Sequence, residues 1–524
     1  MIEKLIPLEA ARIQHQLQID KSKNRLERNK LGQFATPPSL SQEITQYARQ
    51  LWESRSDKVR FLDPAIGTGS FYYGIIQSFP SSAIESAEGI EIDEYYAAVA
   101  KQLWADVGLK VTVADFTRLA TPKSDRPNLI IANPPYVRHH HLNLMQKNHL
   151  RLISRKVIGK EVSGLTGLYC YFMLIAHEWL AEDGIGIWLI PAEFMDVNYG
   201  SALKEYLANK VTLIHLHRFN PADVQFDDAL VSSAIVIFKR TLPTDEHAAM
   251  FSFGGSLQEP ATANTVSLRQ LRTERKWSSL SAVKYRDKES LVASHTLNAI
   301  FDIKRGIATG ANGFFILKRN HAKSIGIDER FLRPVLPSPR YLKTDTIQAC
   351  QDKYPMFDEQ LVILDTDLPE WVIKEKCPAL FEYLQIGKER GVDQGYLSLK
   401  RKPWYRQEQR EAAPFLCTYM GRSNGNDAPF RFIRNLSAAI ATNVYLMLYP
   451  KGILKDALLK DPSLYSRVFQ LLKQLEKSSV LDESRIYGGG LHKVEPAELG
   501  RVSATQLVKE LDLSGRPKNR LFDI

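Results

Sequence analysis

Apolar and amphipathic segments alternate along the chain from about residue 31 to residue 240. Short runs rich in β-branched residues, such as VRFLDPA (59–65), AEGIEID (87–93) and PNLIIANPP (127–135), are typical of buried strands. Stretches with helical periodicity, such as EYYAAVAKQLWADVG (94–108), lie between them. This alternation predicts that residues 31–240 form an α/β domain with a doubly wound, mostly parallel sheet.

The same pattern predicts further elements. Strands are expected at 109–115, 184–194, 211–219 and 230–240, and helices at 69–79, 168–180 and 201–209. The polar residues 1–30 predict an N-terminal helical extension. Beyond Arg240, residues 241–264 are turn-rich and indicate a linker with some strand. The rest of 241–524 mixes short strands with helices, notably at 462–480, as in a mixed α+β domain.

The composition is that of a large globular protein. Of its residues, 44% are hydrophobic and 24% are charged, and no uncharged apolar run approaches the roughly 18 residues that a membrane span requires. The N-terminal segment lacks the layout of a secretory signal, so we expect a cytoplasmic protein without membrane contact. Cys170, Cys350, Cys377 and Cys417 show no CxxC or zinc-site spacing, which predicts reduced thiols and no metal. The HHH at 139–141 fits a polar loop.

Positive charge is concentrated in the second half of the chain. Residues 1–240 carry 27 Lys and Arg against 26 Asp and Glu, whereas residues 241–524 carry 42 against 33. A basic surface can serve solubility alone, or it can face a polyanion and gain affinity by releasing condensed counterions. The asymmetry leaves both interpretations open.

Residues suited to binding a ligand follow consecutive predicted strands. FLDPAIGTGSF places Asp63 at a strand end, followed by a turn in which Gly67 and Gly69 allow the backbone to approach a ligand closely. Further on, GIEID ends the next strand with Glu91, and an acidic side chain at this place can accept hydrogen bonds from a ribose diol.

The third strand ends in ADF. Here Asp115 can accept a hydrogen bond from an adenine amino group, and Phe116 offers an apolar contact to the ring. Each acidic strand end has an alternative role as a helix N-cap, as for Asp93 before EYYAAVA. Three such residues at three consecutive strand ends favour a nucleoside-binding site.

The segment IANPPYVR, again at a strand end, carries the most specific chemistry. The lone pair of an adenine amino nitrogen is delocalised into the ring, so this nitrogen is a poor nucleophile. The side-chain oxygen of Asn133 and the carbonyl of Pro134 can accept its two hydrogens and direct the lone pair at the methyl group of AdoMet. Pro134 and Pro135 fix the turn, and Tyr136 supplies a face for the base. The alternative is a rigid turn after a strand.

These segments occur in the order GQFATPP (32–38), FLDPAIGTGSF, GIEID, ADF, NPPY and GIGIWLIPAEF. In this order the chain resembles the gamma-class adenine-N6 DNA methyltransferases of restriction–modification systems over residues 32–240. A looser likeness covers 304–317, 432–450 and 487–496. The resemblance implies the class I AdoMet-dependent methyltransferase fold, AdoMet as cofactor, and a target-recognition domain over residues 241–524 that binds double-stranded DNA.

The resemblance also implies roles for individual residues. Those expected to close over AdoMet are Phe34, Thr36 and Pro37, and those expected in its pocket are Asp63, Gly67, Glu91, Ile92, Asp115 and Phe116. Asn133, Pro134 and Tyr136 are expected to bind the adenine, and Phe226 to pack on the opposite face of the extruded base. Family members often carry Glu where this chain has Asp63, and both residues accept hydrogen bonds.

An adenine in duplex DNA is paired and stacked, so the enzyme must rotate it out at a cost of roughly a few kcal/mol. Stacking of the base between Tyr136 and Phe226, together with phosphate and groove contacts from the basic second half, is expected to offset that cost. Candidates for DNA contacts are Lys304, Arg305, Arg401, Lys402, Arg406, Arg431 and Arg434. The family further implies protection of host DNA beside a cognate restriction endonuclease encoded nearby.

Other functions stay open at this point. NPPY also occurs in methyltransferases that act on RNA bases or protein glutamine amides, although these usually lack the F-x-T-P element and a large basic domain. A binding protein that retains the fold without reacting is another possibility, which a broken motif would favour, and none is broken. A fused nuclease would need a PD…ExK arrangement, and the segment around Glu375 and Lys376 lacks one.

Overall fold

The computed structural model describes residues 2–23, 28, 32–137, 144–163, 166–220, 232–281, 295–422, 429–475, 477–487 and 490–511. The chain divides into two compact units, the first comprising Met1–Tyr285 and Tyr487–Gly490 and the second comprising Arg286–Ile486 and Leu491–Ile524. The sequence pattern predicted a boundary at residue 240, whereas the structure places 241–285 with the first unit.

The described part of the first unit contains nine strands and eight helices. The strands are β1 (Val59–Asp63), β2 (Ile84–Glu91), β3 (Leu109–Val113), β4 (Leu129–Ala132), β5 (Ile185–Pro191), β6 (Thr212–Arg218), β7 (Ser233–Lys239), β8 (Ala248–Gly255) and β9 (Pro260–Ser267). The helices are α1 (Ile2–Ser22), α2 (Pro38–Trp52), α3 (Ser70–Ser78), α4 (Glu94–Trp104), α5 (Leu144–Ile158), α6 (Leu168–Trp179), α7 (Ser201–Asn209) and α8 (Leu268–Thr273). Strands β1–β7 and helices α1, α3, α4, α6 and α7 confirm predicted elements.

The nine strands form one sheet in the order β3-β2-β1-β4-β5-β7-β6-β8-β9. Strand β1 pairs in parallel with β2 and β4, β2 with β3, β4 with β5, and β6 with β8. Strand β7 is antiparallel to β5 and β6, and β9 is antiparallel to β8. The predicted doubly wound, mostly parallel sheet is therefore confirmed.

The central strands are apolar throughout because helices cover a parallel sheet on both faces. Every residue of β4 and β5 is buried. Ile130, Ile187 and Ile237 have no exposed surface, and they belong to one hydrophobic core that extends from α1 to Trp277. This rigid core fixes the carboxyl ends of the strands relative to one another.

The segment 241–264 was predicted to be a linker with some strand; the strands are present as β8 and β9, and they belong to the main sheet. They form an antiparallel hairpin that continues the sheet beyond β6. Gly254 and Gly255, which both have positive φ angles, end β8 directly before the turn. Ala249 and Phe251 of β8 are buried in the core of the first unit. Pairing and this burial stabilise a hairpin whose local composition is weak for strands.

The second unit has a mixed α+β architecture. Its strands are β10 (Phe301–Arg305), β11 (Ile316–Lys318), β12 (Leu332–Val335), β13 (Thr346–Ile347), β14 (Leu361–Leu364), β15 (Phe415–Thr418), β16 (Met420–Arg422), β17 (Phe432–Asn435), β18 (Tyr445–Pro450), β19 (Arg485–Tyr487) and β20 (Leu491–Lys493). They form sheets of order β10-β18-β15-β17-β13, β11-β14-β12 and β16-β20-β19.

The helices of this unit are mostly short. They are α9 (Leu297–Ile300), α10 (Asn312–Phe315), α11 (Arg319–Ser324), α12 (Glu370–Lys376), α13 (Pro378–Glu389), α14 (Gly452–Lys460), α15 (Leu464–Gln474), α16 (Lys477–Glu483), α17 (Pro496–Leu499) and α18 (Thr505–Glu510). Within the described ranges, no helix of the chain is long and apolar enough to cross a membrane. All four cysteines are free thiols, as predicted.

Candidate active site

The chemical residues named by the sequence motifs converge at one edge of the main sheet. Asp63 ends β1, Glu91 ends β2, and Asn133 directly follows β4. Strands β2, β1 and β4 are adjacent and parallel, so their carboxyl ends lie side by side. Strand order reverses between β1 and β4, and ligands of doubly wound sheets bind at such a switch point.

A cavity of about 810 Å³ opens at this edge, a size within the range of small-molecule sites. Eight of the predicted site residues line it: Phe34, Gly67, Glu91, Ile92, Asp115, Phe116, Asn133 and Pro135. The other predicted residues are not among its lining residues: Thr36, Pro37, Asp63, Gly69, Pro134 and Tyr136. The structure thus divides the predicted residues into a lining group and a supporting group.

Glu91 connects two turns at the cavity wall. Its two carboxylate oxygens accept hydrogen bonds from the backbone N–H groups of Gly67 and Asp93, each at 2.9 Å. Burial raises the pKa of Glu91, although these two N–H donors oppose the shift. Gly67 has a φ of 55°, which favours glycine at this position of the turn.

Asp63 and Gly69 support the site from behind. Asp63 is 1% exposed and accepts a hydrogen bond from the N–H of Ala65 at 3.0 Å. Burial raises the pKa of Asp63 to about 8. Gly69 has a φ of 95°, and a Cβ there would lie 2.4 Å from Nε1 of Trp104. This glycine is therefore required for contact between α3 and α4.

Asp115 and Phe116 occupy the turn after β3. Asp115 accepts hydrogen bonds from the N–H and the hydroxyl of Thr117, at 3.0 and 2.7 Å, and lies 3.3 Å from the guanidinium of Arg118. The capping role left open for acidic strand ends is thus present in a residue that also lines the cavity. The ring of Phe116 packs against Phe172 with a centroid distance of 5.3 Å.

The side chain of Asn133 has a defined orientation. Its Nδ2 donates to the carbonyl of Phe34 at 3.0 Å and to Oγ1 of Thr36 at 3.1 Å. A carbonyl oxygen can only accept, so the amide nitrogen must face Phe34. Within the described part of the chain, both hydrogen bonds of this side chain use Nδ2. Oδ1 is therefore the atom of the Asn133 side chain that remains to accept a hydrogen bond from a ligand.

Tyr136 lies in the core next to the cavity. Its hydroxyl donates to the carbonyl of Leu189 at 3.1 Å, and its ring packs between Phe34 and Tyr169, with centroid distances of 5.6 and 6.5 Å. The ring is not among the lining residues, so its stacking role stays a prediction. Phe226 and the HHH segment lie outside the described residues.

Sequence profiles of two families match separate parts of the chain. The family described as "Eco57I restriction-modification methylase" matches residues 109–225, and "Type II methyltransferase M.Eco57I, C-terminal domain" matches residues 278–518. Type II methyltransferase M.AccI of Acinetobacter calcoaceticus is 27% identical over 90% of this chain and 85% of its own length. M.XamI of Xanthomonas campestris pv. amaranthicola is 28% identical over 91% and 85%. Together these matches support a DNA methyltransferase of a restriction–modification system.

Solved structures agree in fold. The Type IIL restriction-modification enzyme MmeI, in complex with DNA, matches 88% of the methyltransferase and 64% of its own chain, with 13% identity and a TM-score of 0.51. A DrdV–DNA complex matches 87% and 54%, with 12% identity and a TM-score of 0.50. The methyltransferase therefore spans less than two thirds of the length of either chain. At these identities the likeness concerns the fold alone.

The motifs missed several residues of the cavity. Gln16 and Asp20 of α1, Tyr96 of α4 and His149 of α5 also line it. The only sequence signal for Gln16 and Asp20 was that they lie four residues apart, and therefore on one face, of a polar N-terminal helix. Their contacts join segments that are far apart in sequence.

The basic residues proposed for DNA contacts have different environments in the second unit. Arg401 donates to the carbonyls of Ala308 and Thr309 at 2.6 and 2.9 Å. Arg431 donates to Asp345 at 2.9 Å and to backbone carbonyls. These two guanidinium groups hold loops of the unit together.

The remaining candidates for DNA contact have other surroundings than Arg401 and Arg431. Lys402 and Arg406 are exposed. Lys304 lies 2.8 Å from Asp302, Arg305 stacks on the ring of Tyr419 at 4.0 Å, and Arg434 donates to Ser466 at 2.7 Å. DNA contact by any of these residues stays a prediction.

Proposed function

We propose that this methyltransferase uses AdoMet to methylate the exocyclic N6 of adenine within a short specific sequence of duplex DNA. The orientation of the Asn133 amide carries the proposal. Phe34 and Thr36 accept hydrogen bonds from its nitrogen, which leaves Oδ1 to accept a hydrogen bond from a ligand in the cavity that Asn133 lines. A hydrogen-bond acceptor at this place suits an amino group as substrate.

The cavity fits the cofactor. Its lining includes the carboxylates of Glu91 and Asp115, which are acceptors for hydroxyl and amino donors, and the apolar side chains of Ile92 and Phe116. A nucleoside with a cationic side chain matches a wall of this charge. When bound, AdoMet supplies an activated methyl group.

The chain's own contribution is to prepare the acceptor nitrogen. Asn133 Oδ1 and the carbonyl of Pro134 accept the two hydrogens of the amino group, which draws its lone pair out of conjugation with the ring. The nitrogen would then present that lone pair to the methyl carbon, whose bond to sulfur would break with its electron pair going to sulfur, and the surplus proton on nitrogen would pass to water. Preorganised polar groups of this kind contribute about 2.7–4 kcal/mol to a transition state.

The second unit is proposed to choose the DNA site. Rotation of the target base out of the duplex requires contacts that offset the lost stacking. Residues 286–524 carry 37 Lys and Arg against 29 Asp and Glu, which is most of the excess positive charge, and residues 278–518 match the C-terminal domain of a Type II methyltransferase. Protection of cytoplasmic host DNA against a cognate endonuclease follows as the biological role of such methylation.

Incubation of the full chain with labelled AdoMet and duplex DNA, followed by nucleoside analysis, tests the proposal. N6-methyldeoxyadenosine is the expected product. Label in a cytosine derivative, in RNA or in protein glutamine would contradict it. Asn133→Ala should lower kcat by about 100-fold or more, while the matched control Asn264→Ala, which also loses an amide bonded to a backbone carbonyl, should retain activity.

A further inference from the structure

Helix α1 adds a row of polar side chains to the site that none of the strand-end motifs includes. Arg12, Gln16 and Asp20 are four residues apart and therefore share one face of the helix. Gln16 and Asp20 line the cavity, and Arg12 beside them is 2% exposed. The N-terminal helix is thus part of the cavity wall.

Hydrogen bonds fasten this row to the glycine-containing turn and to α4. Arg12 donates to the hydroxyl of Thr68 at 3.1 Å, and that hydroxyl donates to Oε1 of Gln16 at 2.8 Å. Nε2 of Gln16 donates to both carboxylate oxygens of Asp20 at 3.1 Å. The hydroxyl of Tyr96 donates to Asp20 at 2.8 Å. The Asp20 carboxylate is therefore fixed on the wall.

Glu91 is held between the same two segments. It accepts from Gly67, in the glycine-containing turn, and from Asp93, at the start of α4. Asp20 additionally lies 3.7 Å from the guanidinium of Arg28. Two carboxylates, one from β2 and one from α1, therefore line the same cavity.

We infer that Asp20 binds one ribose hydroxyl of the cofactor while Glu91 binds the other, and that Gln16 orients Asp20 for this contact. The inference rests on the proposed AdoMet site. A ribose diol offers two hydroxyl donors, and an acidic residue at the end of the second strand is an established acceptor for one of them in related sheets. Asp20 provides the acceptor for the other. Carboxylates repel phosphate, so this wall also selects a nucleoside without phosphate groups.

Calorimetry on the full chain without DNA tests the inference, with S-adenosylhomocysteine and its 2′-deoxy and 3′-deoxy analogues as probes. Asp20→Ala should weaken binding of the parent ligand by roughly tenfold to 100-fold, the effect of a hydrogen bond to a charged group. For the analogue that lacks the hydroxyl bound by Asp20, wild type and variant should bind alike. Gln16→Ala should follow the same pattern with a smaller loss.

Gln18→Ala is the matched control, because Gln18 lies on the same helix and is exposed. It should bind all three probes as the wild type does. An equal loss for the parent and both analogues would indicate a purely structural role for Asp20 and overturn the inference, as would no loss at all. If the wild type fails to bind S-adenosylhomocysteine, the proposed function itself fails, so the two failures are distinguishable.

Discussion

Thr36→Val isolates the contact that orients Asn133. In the wild type, Nδ2 of Asn133 has two acceptors, the carbonyl of Phe34 at 3.0 Å and the hydroxyl of Thr36 at 3.1 Å. Valine removes the hydroxyl and retains a branched side chain of similar volume. One of the two acceptors that define the orientation of the amide is thereby lost, and Oδ1 is held less firmly.

The size of the effect follows from the bond that is lost. A neutral hydrogen bond contributes a net of about 0.5–1.5 kcal/mol, which corresponds to roughly a 2- to 13-fold decrease in kcat if the amide must be reoriented for each turnover. Removal of the acceptor itself in Asn133→Ala costs about 2.7–4 kcal/mol. We therefore expect kcat to decrease in the order wild type, Thr36→Val, Asn133→Ala.

Single-turnover methylation of DNA at saturating AdoMet measures this order, and calorimetry measures AdoMet affinity in the same variants. Thr212→Val, which removes a hydroxyl at the start of β6 away from the cavity, is the control and should behave as the wild type. A Thr36→Val enzyme with wild-type turnover at saturation but much weaker AdoMet binding would refute the reasoning, because Thr36 would then serve the cofactor.

Three further predictions follow from the structure. Burial raises the pKa of Asp63 from 3.8 to about 8, so its contribution to stability is present at low pH and is lost as the pH rises through this range. Asp63→Asn should therefore flatten the decline in Tm between these pH values, and an unchanged slope in thermal melts would contradict this prediction. Arg406→Ala should reduce the slope of log Kd for DNA against log salt concentration by about one, whereas Arg431→Ala should lower Tm. A lowered Tm for Arg406→Ala together with a reduced salt slope for Arg431→Ala would contradict this prediction. A fragment 1–240 lacks β8 and β9 and should aggregate in gel filtration, whereas a fragment 1–285 should remain soluble and bind AdoMet. A 1–240 fragment that is soluble and binds the cofactor would contradict the observed unit boundary.

The strands of the main sheet were predictable because each carries its own signal. Buried parallel strands are apolar on both faces, so β1 to β7 appear as short β-branched runs. Strands β8 and β9 carry no such signal. In β9, PATANTVS, only Val266 is buried, and Pro, Ala and Asn are unfavourable in strands. Their formation depends on pairing with β6, which local composition does not reveal.

The sequence was sufficient to predict which segments meet at the site. It was not sufficient to predict which atoms are in contact there. Parallel pairing brings the residues after β1, β2 and β4 together once the fold class is known. The role of each of these residues depends on contacts with residues that are distant in the sequence. Gly69 is required by Trp104, and Thr68 contacts Arg12, 56 positions earlier. No spacing rule connects such positions, so the role of α1 was visible only in three dimensions.

Mapping of modified bases in a host without DNA methylation tests the central claim most directly. The full chain is expressed there, and genomic DNA is read by single-molecule sequencing, with Asn133→Ala expressed to the same level as the control. The account predicts N6-methyladenine at one short sequence throughout the genome in cells with the wild type, and none with the variant. Unmodified adenines, or modification of cytosine, in cells that contain the folded wild-type protein would contradict it.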